Sequence, residues 1–138
     1  MTAADHVTGL ALRGDLQRLL GSLLGPEGPR PVALVICDVA DLEAVNAGRG
    51  FLAGDAVLAS AAAALRVAAA DALLLARLGG DELVAVFAGP AAPAAANKAA
   101  HSLTASAAPR LHAAAVIAET ADTPGSLIDR LYATMRRS

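Results

Sequence analysis

The chain has almost no aromatic residues and almost no cysteine. Its 138 residues include no Trp, one Tyr and two Phe, and Cys37 is the only cysteine. A lone cysteine excludes an internal disulfide, and within the apolar run 32–37 we expect it to be a small buried side chain. With so few rings and a formal charge of −2, the chain has neither the stacking platform nor the basic surface of a nucleic-acid-binding protein.

The sequence also lacks a long hydrophobic run and a basic N-terminus. Its longest apolar stretch, residues 59–65 around one Ser, is much shorter than the roughly 20 residues that a membrane-spanning helix needs. Asp5 and His6 stand where a secretory signal would begin with basic residues. We therefore expect a cytoplasmic protein without a membrane segment.

Length and composition are those of one domain. With 138 residues and 56% hydrophobic content, residues 1–138 suffice for a single good core and are too few for two domains. We expect residues 1–25 to hold an N-terminal helix and the segment before it, and residues 31–138 to hold the sheet core. Alanine supplies much of the apolar fraction, so helices and sheet must pack closely.

Hydrophobic periodicity and Gly/Pro breaks predict the element order α-β-α-α-β-β-α-β-α. The predicted helices are 10–24, 41–47, 54–70, 93–107 and 126–137, and the predicted strands are 31–37, 73–78, 83–87 and 111–118. The continuous apolar run 31–37 is typical of a central strand covered on both faces. The order best fits an α/β (α+β) fold of ferredoxin-like or palm type, an antiparallel-containing sheet flanked by helices that we expect on one face.

Two glycines and two adjacent acids mark the tip of a predicted hairpin. Gly79 and Gly80 lie between apolar runs of strand length, where a tight reversal needs positive φ and where backbone amides can approach an anion. Asp81 and Glu82 open the returning strand, so they should point to opposite faces and each should have its own partner. Taken alone, these four residues are better explained as an ordinary hairpin with a solvated acidic tip.

Further acidic and amide side chains follow the first predicted strand. Asp38 ends this strand and Asp81 begins another, so their carboxylates meet at one edge of the sheet if the strands are neighbours. Paired hard oxygen ligands suit Mg²⁺ that carries substrate phosphates. Asn46 and Asp55 flank a glycine-containing break between two helices, where an amide and a carboxylate can read a base edge. A carboxylate that accepts the N–H groups of guanine selects guanine over adenine.

Five segments carry recognisable partial motifs, in the order 5–13, 38–46, 50–55, 77–83 and 131–132. On these motifs the chain resembles the GGDEF domain of diguanylate cyclases, bacterial enzymes that condense two GTP molecules into cyclic di-GMP. The second segment matches the family pattern at Asp38 and Asn46. The third departs from it at Phe51, and the fourth has Leu83 where the family has Phe. Five partial motifs in order are far more specific than any one of them.

The resemblance implies a role for each matching residue. Asp38 and Asp81, with the Val39 carbonyl close by, would hold Mg²⁺ or Mn²⁺, and Asp81 and Glu82 would handle the metal and the 3′-hydroxyl proton. The implied substrate contacts are Asn46 and Asp55 to guanine and Gly79, Gly80 and Arg77 beside the phosphates. Because one such domain holds half of the reaction, the resemblance implies a homodimer acting on GTP.

Departures from the family pattern bear on activity. The two expected lysines are replaced by Glu43 and Met135, and the single lysine, Lys98, lies in another helix. A carboxylate near a triphosphate would repel it by roughly 1–4 kcal/mol at contact distance, unless Glu43 turns outward. Arg136 and Arg137 are substitutes of different reach and geometry. Lysine at both 43 and 135 is expected to raise turnover and to leave thermal stability almost unaffected.

Structural roles compete with functional ones at single positions. The family's inhibitory Arg-x-x-Asp motif would fall on Ala70 and Leu73, so we expect no product feedback through that site. The competing structural roles are Asp55 as a helix N-cap, Asn46 as a helix-terminal residue, Asp5 as a cap of the first helix, Arg77 as the partner of a nearby acid, Phe51 in the core, and His6, His101 and His112 as surface or structural residues.

Three functional hypotheses follow. The first is a weakly active diguanylate cyclase that works as a homodimer with Mg²⁺. The second is a degenerate, non-catalytic GGDEF module that binds GTP or a protein partner and acts as a regulator. The third is a palm-type cyclase with another nucleotide specificity. Asp38, Asp81 and Glu82 favour the enzyme, whereas the missing lysines favour the regulator.

Overall fold

The computed structural model describes residues 3–136 and confirms the predicted order of elements. Within these residues the elements are α1 Arg13–Leu23, β1 Val32–Val39, α2 Leu42–Arg49, α3 Phe51–Ala68, β2 Leu74–Arg77, β3 Glu82–Ala88, α4 Ala92–Thr104, β4 Leu111–Ile117 and α5 Pro124–Arg136. Arg137, named above as a substitute for a missing lysine, lies outside the described residues, as does the predicted end of the last helix.

The four strands form one antiparallel sheet in the order β2-β3-β1-β4. A strand, a crossover, a hairpin, a second crossover and a last strand give this order in a ferredoxin-like fold, so the predicted fold class is confirmed. β1 occupies a central position because its residues 32–37 are apolar on both faces and are all buried. Its register sets Asp38 opposite Glu82 of β3 and His112 of β4.

Helices cover both faces of the sheet, so the expectation of helices on one face is wrong. α3 and α4 pack on one face against side chains such as Val35 and Leu83. α1 and α5 pack on the other against side chains such as Leu34 and Val84. α3 and α4, the helices that connect strands of the sheet, cover only one of its faces. Without α1 and α5, every second residue of β1 and β3 would expose its side chain to water on the other face.

The junction between α2 and α3 differs from the predicted one. Gly50 has a φ of 88°, in the left-handed region that favours glycine, and it ends α2 and begins α3 at Phe51. Residues 48–49 therefore belong to the last turn of α2 instead of forming a break. Asp55 lies in the second turn of α3, so its alternative role as a helix N-cap is wrong.

Within residues 3–136, α3 is the one helix whose length and composition would let it cross a membrane, with a mean hydropathy of 1.5. Its buried side chains, including Leu58, Ala61 and Leu65, belong to the core between this helix and the sheet. Close helix-sheet packing therefore accounts for the apolar residues on its buried side, which make up 28% of the helix, whereas Phe51, Leu52 and Val67 are exposed.

Candidate functional site

The acidic residues lie together where β1 ends and β3 begins. β1 and β3 are hydrogen-bonded antiparallel neighbours, and Asp38 of β1 is the register partner of Glu82 of β3. Asp81 immediately precedes Glu82 in the connection from β2. The sequence predicted a shared carboxylate site only if these two strands were neighbours, and in the structure they are neighbours.

The carboxyl groups of Asp81 and Glu82 interact with each other, so the expectation that each has its own partner is wrong. β3 begins at Glu82, so Asp81 lies in the turn and the alternation of strand side chains does not apply to it. The pKa of Glu82 is raised to about 7, mainly by a hydrogen bond with the Asp81 carboxyl and next by burial. A hydrogen bond from Tyr132 lowers this pKa by a smaller amount.

Asp38 is held by a histidine from the neighbouring strand. Nδ1 of His112 lies 2.9 Å from Oδ1 of Asp38. Burial raises the pKa of Asp38 and the charge of Asp81 raises it further, which together outweigh the lowering by the His112 hydrogen bond. No spacing in the sequence marks His112. Only the β1–β4 register, a long-range property, brings it to Asp38.

The Gly-Gly turn has a different geometry from the predicted one. Neither Gly79 nor Gly80 has a positive φ. Residues 78–81 form a four-residue connection, which does not need the mirror-image conformations of a two-residue hairpin turn. A Cβ at Gly79 would overlap the Glu82 carboxylate as it is placed here and lie 3.2 Å from the Tyr132 hydroxyl, so the glycine lets this carboxylate approach the turn closely. Space is open around Gly80.

Arg77 braces the turn against the N-terminal segment. Its Nη1 donates to both carboxylate oxygens of Asp5, at 3.0 and 3.2 Å, and its Nε donates to the Gly80 carbonyl at 3.1 Å. Burial alone raises the pKa of Asp5, but hydrogen bonds from Thr8 and Arg77 hold this pKa below its usual value. The role of Arg77 as partner of a nearby acid is observed, and its role in substrate binding stays a prediction. Asp5 does not cap α1, which begins at Arg13.

A second arginine joins α1 and α5 to the same turn. Nη1 of Arg13 donates to the Leu78 carbonyl at 3.3 Å and to the Tyr132 hydroxyl at 3.1 Å. Tyr132 in turn hydrogen-bonds to Glu82. The turn that carries the acids is therefore fixed from two helices, a connection that the sequence analysis did not assign.

A cleft of about 760 Å³ opens beside the acidic residues. Among the predicted site residues, its lining includes Val39, Asn46, Asp55, Arg77, Gly80 and Asp81. Asp38, Gly79 and Glu82 are sequence neighbours of these residues and do not line the cleft themselves. The structure thus brings the predicted base-reading pair and two of the three predicted metal ligands, Val39 and Asp81, to a single cavity.

Close packing of α2 on α3 positions Asn46 beside Asp55. Gly54 is buried, and a Cβ at this position would overlap Oδ1 of Asn46. The glycine therefore lets the Asn46 side chain lie against α3, next to the helical turn that carries Asp55. Both side chains line the cleft, and guanine recognition by them stays a prediction.

Glu43, whose orientation the sequence left open, and Phe51, which it favoured in the core, also line the cleft. Glu43, in the first turn of α2, does not turn away from it, and Phe51 is 78% exposed instead of buried in the core. Met135 is half-buried, packs against the core on the α1 and α5 side and does not line the cleft. A lysine at position 135 would lie outside the cleft, so the reason for expecting almost unchanged stability, a position at the solvent-facing ligand site, does not hold there. Within the described residues, Arg77 is the only cationic side chain of this lining.

The donor chemistry at the sheet edge fits a divalent cation. Carboxylates of Asp38 and Asp81 and the carbonyl of Val39 are hard oxygen ligands, and the charge of Asp81 raises the pKa of both Asp38 and Glu82. A cation would relieve this repulsion. Across residues 3–136 no group of three or more His, Cys, Asp and Glu side chains has the arrangement of a metal site. A bound cation would thus need carbonyl, water or phosphate oxygens to complete its coordination.

The fold and the site define an α+β domain of ferredoxin-like strand order with a carboxylate cluster beside an open cleft. The family model for the diguanylate cyclase GGDEF domain matches residues 2–122. The chain belongs to the GGDEF domain family.

Solved structures of GGDEF domains share the fold. The GGDEF domain of DgcB from Caulobacter crescentus, in complex with c-di-GMP, is similar with a TM-score of 0.82 at 22% identity, over 98% of this chain and 86% of that chain. A sensory box/GGDEF family protein from Caulobacter crescentus CB15 has a TM-score of 0.78 at 28% identity, over 97% and 96%. Diguanylate cyclase SiaD from Pseudomonas aeruginosa, in complex with its activator SiaC, has a TM-score of 0.76 at 22% identity, over 97% and 56%.

Curated relatives come from mycobacteria and are much longer. The uncharacterized proteins Rv1354c of Mycobacterium tuberculosis H37Rv and Mb1389c of Mycobacterium bovis are each 40% identical over 89 residues, which is 63% of this chain. The match spans only 14% of the length of each relative.

Proposed function

We propose that this GGDEF domain is a slow diguanylate cyclase, which binds GTP with a divalent cation and condenses two GTP molecules into cyclic di-GMP as a homodimer. The observation that carries the proposal is the joint position of two groups of side chains. Asp38, Asp81 and Glu82 lie at one edge of the sheet, and Asn46 and Asp55 line the cleft beside it.

Each residue has a role in this proposal. The carboxylates of Asp38 and Asp81 and the Val39 carbonyl hold Mg²⁺ or Mn²⁺, which when bound neutralises charge on the attacking and leaving oxygens. Glu82, whose carboxyl lies beside Asp81 at this edge of the sheet, accepts the proton of the 3′-hydroxyl group. Asn46 and Asp55 hold the guanine edge.

The turn supplies the surroundings of the phosphates. The open space around Gly80 leaves its backbone accessible to an anion, and Gly79 lets the Glu82 carboxylate approach the turn. Arg77 fixes this backbone through the Gly80 carbonyl and adds positive charge to the cleft wall. The turn therefore needs little reorganisation when a triphosphate binds.

Two domains must face each other, because each would present one GTP whose 3′-oxygen attacks the α-phosphate of the other, while the bond from that α-phosphate to the β-phosphate breaks and pyrophosphate leaves. SiaD, one of the similar structures, forms a complex with an activator protein. We place the present domain in the cytoplasm, where a regulatory protein partner would bring two copies together. Product feedback through the position of Ala70 and Leu73 is not part of this proposal.

The charge of the cleft favours a second candidate function, a non-catalytic module that binds GTP or a protein partner and regulates. Glu43 lines the cleft, and no lysine does so within the described residues. Arg77, which is paired with Asp5, is the one cation of the described lining, and so little positive charge lowers triphosphate affinity and slows transfer. Detectable cyclic di-GMP formation separates the two candidates.

We predict that guanine recognition depends on Asp55. Replacing Asp55 with Ala removes a charge-assisted contact, and such a loss costs about 1.5–3 kcal/mol, so GTP should bind at least about tenfold more weakly. ATP affinity should remain nearly unchanged, because adenine does not present the same N–H groups. Calorimetric titration of both nucleotides with the variant measures this difference.

Asp71→Ala is the matched control, since Asp71 is exposed in the α3–β2 connection and does not line the cleft. It should leave both affinities unchanged. Equal losses for GTP and ATP in Asp55→Ala would assign Asp55 a structural role and remove guanine specificity from the proposal.

A further inference from the structure

Phe51 occupies an unusual position for one of the few aromatic residues of this chain. It is the first residue of α3, its side chain is 78% exposed, and it lines the cleft. The other phenylalanine, Phe87, is buried in the core. A phenylalanine held in water at the rim of a cleft gains nothing from burial in the free protein.

The same face of α3 carries the predicted base-reading residue. The cleft-lining residues of this helix are Phe51, Gly54, Asp55 and Leu58. Positions three and four apart lie on one side of a helix, so Phe51 and Asp55 are neighbours one turn apart. Gly54 lies between them and receives the side chain of Asn46 from α2. Two polar groups that can read a base edge and one ring therefore face the same space.

We propose that Phe51 is the stacking residue of the nucleobase subsite and packs its ring on the face of the purine whose edge Asn46 and Asp55 hold. This inference rests on the proposed function, because it takes GTP as the ligand of the cleft. Every base has a π-face, so the ring contributes affinity without distinguishing guanine from adenine. Asn46 and Asp55 then distinguish guanine from adenine, and the ring of Phe51 adds to the affinity for either base.

Leu52 provides an internal control for this inference. It is the next residue of α3, is 86% exposed and does not line the cleft. A general effect of removing exposed apolar surface at the start of α3 would therefore appear in Leu52→Ala as well as in Phe51→Ala. A stacking contact would appear only at position 51.

The first test is nucleotide affinity in the full chain, measured by calorimetry with Mg²⁺. Phe51→Ala should weaken GTP about tenfold and weaken ATP by the same factor, whereas Leu52→Ala should match the wild type. Phe51→Tyr keeps a ring and should retain most of the affinity. Thermal melting of each variant should be close to that of the wild type, because the side chain is exposed.

The second test uses the absence of tryptophan from the chain. In Phe51→Trp the indole is the only tryptophan, and its emission should be quenched when GTP stacks on it, whereas the emission of Leu52→Trp should not change. Wild-type GTP binding with no loss in Phe51→Ala and no quenching in Phe51→Trp would overturn the stacking role and leave the proposed function intact. Weakened self-association of Phe51→Ala with unchanged GTP affinity would assign Phe51 to a protein contact and overturn it too. A wild-type protein that does not bind Mg²⁺ and GTP would refute the proposed function itself and, with it, this inference.

Discussion

Asp81→Asn is expected to abolish magnesium-dependent GTP binding and to reduce cyclic di-GMP formation by more than about a hundredfold. Asp81 interacts with the other two acids of the site: its carboxyl is the main cause of the raised pKa of Glu82, and its charge adds to the effect of burial in raising the pKa of Asp38. Asparagine keeps the size of the side chain and removes the charge on which a cation depends. Titration of Mg²⁺ against GTP affinity measures the loss.

Thermal melting of the same Asp81→Asn variant tests whether misfolding, instead of the lost charge, causes the loss of binding. Removing the Asp81 charge relieves repulsion among neighbouring carboxylates, so the cation-free variant should melt at or above the temperature of the wild type. The pKa of Glu82 should fall from about 7 toward its ordinary value of 4.5. Asp71→Asn, an identical change outside the cleft, should leave GTP binding unaffected. If Asp81→Asn kept the magnesium dependence of the wild type, the metal assignment would be wrong.

Glu43→Lys is expected to increase GTP affinity and turnover at least about tenfold. A single charge pair near 4 Å is worth about 1 kcal/mol even in water, and the substitution replaces one repulsion from the triphosphate by one attraction. Glu43 is exposed at the cleft, so the change should not affect folding. Steady-state rates of cyclic di-GMP formation at several GTP concentrations measure both effects.

Two controls separate a local contact from the change in net charge. Glu43→Gln removes only the repulsion and should give about half of the free-energy gain. Glu27→Lys makes the same charge change in the exposed loop after α1 and should have no effect. Met135→Lys is not added, because Met135 packs against the core and does not line the cleft. A wild-type rate equal to that of Glu43→Lys would show that other groups supply the charge and that the domain is not degenerate at this position.

Local patterns were sufficient to predict the element order and the fold class. The continuous apolar run before Asp38 is typical of a strand covered on both faces, and Gly/Pro breaks separate it from segments with helical periodicity. The same local rules failed where backbone conformation or packing decides. The φ of Gly50 moved the start of α3 to Phe51, and the length of the connection removed the need for positive φ at Gly79 and Gly80.

The candidate site was predictable where the family motif carries it and not elsewhere. Asp38, Asp81, Asn46 and Asp55 were named from the sequence, and the structure places them around one cleft and sheet edge, although their roles remain predictions. The contact of Asp38 with the histidine of β4 depends on strand register, which no local pattern encodes.

Phe51 was assigned to the core because hydrophobic residues are usually buried. Only the position of α3 at the mouth of the cleft leaves it in solvent. The orientation of Glu43 toward the cleft was likewise left open by the sequence, since a helix of this length can present either face to its neighbour.

The most direct measurement incubates the purified protein with Mg²⁺ and GTP and detects cyclic di-GMP by chromatography and mass spectrometry, with Asp81→Asn as the control. We expect slow, metal-dependent formation of cyclic di-GMP, below about 1 s⁻¹, that rises more than linearly with protein concentration as homodimers form. Asp81→Asn should form none. GTP binding without any cyclic di-GMP, in both the wild type and Glu43→Lys at concentrations where the protein is dimeric, would contradict the cyclase assignment and leave the regulatory module as the function.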